Sequence, residues 1–70
     1  MSRRPVHLYR CIAVFSQATR MFYVNSIREL SDVEVRFRAV EKGVSNANVS
    51  GLSVSAADIV RIDFEYRGVM

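Results

Sequence analysis

Hydrophobic and polar positions along this chain follow a period of two at both ends and an ambiguous period in the middle. From His7 to Ser16, HLYRCIAVFS, apolar side chains fall on both faces of an extended run. Leu8, Ile12 and Val14 lie on one face and Tyr9, Cys11, Ala13 and Phe15 on the other, the pattern of an interior strand. A short polar break, Ser16 to Thr19, leads into a second run rich in aromatic and β-branched residues, Arg20 to Ile27, RMFYVNSI. Two such runs so close in sequence predict an antiparallel hairpin. The last run, DIVRIDFEYRG, alternates throughout, with Val60, Ile62, Phe64 and Tyr66 against Arg61, Asp63, Glu65 and Arg67. It reads as a half-buried strand with one wet, charged face.

The middle stretch SDVEVRFRAVEKG, residues 31 to 43, alternates as a strand would but carries the end signals of a helix. Ser31 and Glu34 have the spacing of a capping box, and Leu30 and Val35 that of a hydrophobic staple. Gly43 stands where a left-handed residue would close the helix, with Val44 able to touch Ala39 in a Schellman arrangement. Val33, Phe37, Val40 and Val44 then form the expected buried stripe, with Glu34, Arg38, Glu41 and Lys42 on the wet side and a Glu34 to Arg38 pair one turn apart. Asp32 and Glu34 sit at the positive end of the helix dipole. The three valines and phenylalanine argue the other way, toward a strand. Beyond Gly43, the segment across Asn48 to Val54 reads as a weak edge strand, bulged at Gly51. The expected fold is therefore α+β, a four-stranded, mainly antiparallel sheet with one helix on one face, in the order β-β-α-β-β. An all-β meander is the alternative if residues 32 to 42 are extended.

Length makes this one domain over residues 1–70, since 70 residues leave no room for two cores. Residues 1 to 6, with Arg3, Arg4 and the only proline, Pro5, read as a flexible basic arm. No apolar run exceeds the five residues from Cys11 to Phe15, far short of the roughly 20 that cross a bilayer. No signal-peptide pattern follows the N-terminal arginines, so a soluble, cytoplasmic protein is expected. The single cysteine, Cys11, excludes an internal disulfide and a cysteine metal cluster, and its apolar neighbours mark it as a small buried hydrophobe. Asn48-Val49-Ser50 matches the glycosylation acceptor pattern and is read as a chance match.

Groups for catalysis are sparse. His7 is the only histidine, and on one strand it would lie some 13 Å from Cys11 at the roughly 3.3 Å rise per residue, too far to activate a thiol. Asp63 and Glu65 share a strand face but are flanked by Arg61 and Arg67, which would hold both ionised as a solvated ladder. We therefore expect no enzyme activity, no catalytic or metal-binding residues and no cofactor. The net charge is +3, from nine arginines and one lysine against seven acids. Arginine suits protein interfaces and bidentate anion contacts, and arginine and tyrosine are enriched at hot spots. The expected partner-binding residues are Arg36 and Arg38 on the helix and Arg61, Asp63, Glu65, Tyr66 and Arg67 on the last strand. If that strand is an edge, it offers its backbone to a target protein or to a second copy. The alternative is a small RNA- or DNA-binding protein using Arg3, Arg4, Arg10, Arg20, Arg36 and Arg38 with Tyr9, Phe22 and Tyr23.

In the run from the hairpin through SDVEVRFRAVEKGVSN, and in its overall character, the chain resembles the small phage-encoded inhibitors of host proteins, anti-CRISPR proteins among them. The resemblance rests on no specific motif, so it assigns no residue a role. It implies stoichiometric inhibition of a larger host protein or complex.

Overall fold

A computed structural model of the chain describes residues 5–69. The elements run β1 (His7–Phe15), β2 (Thr19–Ser26), α1 (Asp32–Val49), a 3-10 turn (Ala56–Asp58) and β3 (Ile59–Val69). Of the basic arm expected over residues 1 to 6, only Pro5 and Val6 fall within the described residues, immediately before β1. The sheet is antiparallel with order β2-β1-β3, so β1, apolar on both faces, is indeed the central strand. The helix covers one face.

The expected fourth strand does not exist. The class is α+β with a three-stranded sheet, and neither the β-β-α-β-β order nor the all-β meander holds. Residues 48 and 49 belong to the helix, which runs on past Gly43 to Val49 and is capped by Ser50. The Schellman closure occurs instead at Gly51, which has φ +101°. Gly51 N donates to Asn48 O at 3.1 Å and Leu52 N to Ala47 O at 3.0 Å, the two bonds that define that closure. What had the look of a strand is the chain returning along the helix end. The Asn48 amide donates to Val54 O (3.1 Å) and accepts from Val54 N (2.9 Å), so one side chain imitates a strand neighbour.

Gly43 serves a different purpose from a helix stop. A Cβ placed there would lie 3.0 Å from the Ala13 Cβ and 3.2 Å from Cε1 of Phe22. Hence the helix backbone touches the sheet at this point, and no larger side chain has room. The helix buries Val35, Ala39, Gly43 and Ala47, a narrow stripe with a spacing of four. Against it stand Tyr9, Cys11, Ala13 and Phe15 of β1, Phe22 and Val24 of β2 and Ile62 of β3. The bulk in this core comes from the sheet.

The expected stripe Val33, Phe37, Val40 and Val44 is therefore wrong in phase. Val33 and Phe37 are 77% and 68% exposed, while Val40 and Val44 are partly buried at the margin of the core. The start of the helix explains the rotation. Ser31 Oγ accepts from Glu34 N (3.3 Å) and Glu34 Oε1 accepts from Ser31 N (3.1 Å), so the expected capping box forms. Leu30 and Val35, the two positions a staple would use, are both buried in the core, so position 35 faces inward. Ala39, Gly43 and Ala47 follow at four-residue steps. Tyr9 helps anchor this corner, its hydroxyl accepting from Leu30 N at 2.8 Å.

Glu34 does not pair with Arg38 as expected; both of its carboxylate oxygens accept from Arg28, in the loop before the helix. The β3 alternation is also interrupted. Leu8 pairs with Gly68 and Tyr9 with Tyr66, while Val14 pairs with Arg61 and Phe15 with Ile59, leaving Arg67 and Val60 as extra residues. The bulge at Val60 turns that valine out into solvent.

Replacing Gly43 by valine is expected to lower stability by about 2 kcal/mol through overpacking, while valine at exposed Ser45 changes it by less than about 0.5 kcal/mol. Urea unfolding of the two variants measures the difference, and equal midpoints would mean the helix does not sit this close to β1. The Arg28 guanidinium and the Ser31 amide hold the Glu34 carboxyl down to about 2, from an ordinary 4.5. A carboxyl lowered on folding adds stability above its unfolded value and loses it as pH falls through the folded one. Between pH 4.5 and 2 the urea midpoint should fall more steeply in the native chain than in Glu34→Gln.

Candidate partner-binding surface

The groups with chemical potential are engaged with one another or buried. Cys11 has no exposed surface, and burial pushes its thiol up despite the opposing charge of Lys42. His7 Nδ1 lies 2.8 Å from the Tyr66 hydroxyl, with the two rings stacked at 5.9 Å and Tyr66 tilted against Tyr9 at 5.1 Å. Among the described residues no group of three or more His, Cys, Asp or Glu is placed to hold a metal ion. Nor is any helix there long and apolar enough to cross a membrane.

The seven residues expected to bind a partner are distributed over four places. Arg61, Asp63, Glu65 and Arg67 lie on the sheet face away from the helix, beside the half-buried Leu8, Ile12 and Val14 of β1 and the exposed Met21 and Tyr23 of β2. There they form a ladder, with Arg61 Nε 2.8 Å from Asp63, Arg67 Nη1 2.9 Å from Glu65 and Arg10 Nη2 3.8 Å from Glu65. Tyr66 stands on the other face of β3, at the His7 end. Arg36 turns toward β3, donating to Ile62 O at 2.9 Å and lying 5.2 Å over the Phe64 ring. Arg38 faces β2 across the helix.

The last strand is an edge, which meets the condition for offering its backbone, but that backbone is partly occupied by Arg36. The opposite edge is treated alike, since Lys42 Nζ donates to Tyr23 O of β2. Cations placed on edge strands discourage pairing with a further strand. Of the aromatics considered for stacking on bases, Tyr9 and Phe22 are core residues, and Tyr23 alone is exposed.

What sequence reasoning missed is the outer face of α1. Val33 and Phe37 project from it over a shallow depression of about 400 Å³, which Glu34, Arg38 and Glu41 complete. The staple held the clue, because a helix that buries Val35 must turn positions 33 and 37 outward. Comparison with protein families, with curated proteins and with solved structures finds no match for this chain. Ellman's reagent should leave Cys11 unmodified in the folded chain and titrate one thiol per chain in urea; rapid reaction without denaturant would place Cys11 outside the core.

Proposed function

We propose that this chain is a protein-binding module that docks on a larger protein through the outer face of α1. The observation that carries the reading is the exposure of Val33 and Phe37 on a helix whose inward stripe is Val35, Ala39, Gly43 and Ala47. Burying a valine or phenylalanine fully stabilises an association by about 1.5–3 kcal/mol each, before the costs of ordering. An amphipathic helix laid into an apolar groove is a common way for small domains to use such a face. Phe37 and Val33 are the anchors, Arg38 is the adjacent arginine, and Glu34 and Glu41 form the polar rim.

A chain of this size that presents an apolar helix face acts by covering a surface on something larger. The resemblance to phage-encoded inhibitors supplies the target class, a host protein or complex met in the host cytoplasm and blocked stoichiometrically. Charge weighs against nucleic acid as the partner. Arg3 and Arg4 account for two of the net +3, so from Pro5 onward the chain carries only +1. Of the remaining arginines, Arg10, Arg28, Arg61 and Arg67 each already face a carboxylate.

The test is capture of a stoichiometric partner by the native chain and by Val33→Ser/Phe37→Ser. Because both side chains are exposed, the variant should keep its melting temperature while its partner affinity falls at least tenfold. Full retention of the partner would remove the helix face from the reading. Tight, steeply salt-dependent binding of random single-stranded RNA would overturn the protein-binding reading itself.

A further inference from the structure

On the flank of α1 opposite Arg36, the helix and β2 enclose two joined depressions. One, of about 500 Å³, is lined by Val24, Asn25, Arg38, Glu41, Lys42 and Ser45. The other, of about 550 Å³, continues past Ser26 and Arg28 to Val6 and Ile27. Asn25 and Arg38 line both, so together they form one open channel beside the edge strand β2, with Arg38 at its middle.

Its walls are unequally charged. Arg28, Arg38 and Lys42 face a single acid, Glu41. Arg28 is neutralised by Glu34. Lys42 donates to the neutral Tyr23 carbonyl, which leaves its charge uncompensated. Arg38 has neither an ion pair nor a hydrogen bond among the described residues. At the far end the channel turns apolar, with Ile27 62% exposed next to Val6.

We propose that this channel docks an extended acidic segment of the partner protein. Carboxylates would pair with Arg38 and Lys42, and an apolar side chain would lie against Val6 and Ile27. An extended segment fits because the channel runs alongside β2, and period-two spacing sends alternate side chains to the same side without backbone pairing to the strand. A peptide fits better than a nucleic acid because no aromatic side chain lines the channel for a base to stack on, while Val6 and Ile27 offer a place to an aliphatic side chain. Exposed ion pairs are individually weak, so the segment adds to a second contact and sets orientation. The proposal rests on the protein-binding reading and concerns the adjoining flank of the helix, which shares Arg38 and Glu41 with the outer face but not Val33 or Phe37, so the two can fail separately.

The experiment is a ¹⁵N amide titration with a synthetic peptide of alternating valine and glutamate, its glutamine counterpart, and hexathymidylate. The glutamate peptide should shift the amides of Asn25, Ser26 and Ser45 in the native chain and in Phe37→Ser. In Arg38→Glu those shifts should fall at least tenfold at the same peptide concentration, and raised salt should weaken them in the native chain. Equal shifts from the glutamine peptide, shifts confined to β3, or larger shifts from hexathymidylate at the same amides would each overturn the proposal. Absence of these shifts in the native chain, with capture of its protein partner still lost in Val33→Ser/Phe37→Ser, would refute the channel alone.

Discussion

The close approach of the layers at Gly43 of α1, against Ala13 of β1 and Phe22 of β2, sets the geometry of the rest. With a would-be Cβ only 3.0 Å from a side chain rooted in the central strand, the helix has no freedom to roll or rise. Only small residues fit along its inner line, and Ala39 and Ala47 flank the glycine one turn on either side. The sheet must then fill the interior, which it does with Tyr9, Phe15 and Phe22. A chain this short gains from the arrangement. Close backbone approach preserves dispersion contacts that a thin core would otherwise lack.

The same contact explains the surface. A helix held by small residues has no place inside for Phe37 and Val33, so they face solvent. Its cations are distributed with comparable economy. Arg36 and Lys42 reach down either side to the two edge strands, Ile62 O on β3 and Tyr23 O on β2, and Arg28 closes the capping box through Glu34. Arginines that looked like a binding set in one dimension thus serve as edge guards, caps and ladder rungs. Arg38 is left facing a channel. The exposed Val33 and Phe37 and this channel lie on adjoining parts of one helix.

Much of the architecture was legible in one dimension because its causes are local. The two-faced apolar run of β1 demands neighbours on both sides, and it has them. The capping box is a contact between residues a few positions apart and forms where its spacing placed it, and Leu30 and Val35 on either side of it are both buried. The error at Gly43 was an error about distance. A glycine can end a helix or admit a neighbouring backbone, and sequence spacing does not distinguish the two. Gly51 followed by Leu52, with Ala47 behind, had the same closing pattern as Gly43 with Val44 and Ala39.

The sequence by itself determined the class, the hairpin, the helix and the charged last strand, since each follows from periodicity and short-range hydrogen bonding. Tertiary structure decided how far the helix runs, which of its two stripes is buried, and where each arginine points. Those outcomes depend on the space between α1 and β1, to which residues 13, 22 and 43 contribute from three separate elements. Local patterns can state that a stripe is apolar. Whether it fits is a matter of volume, and volume exists only once the layers are packed.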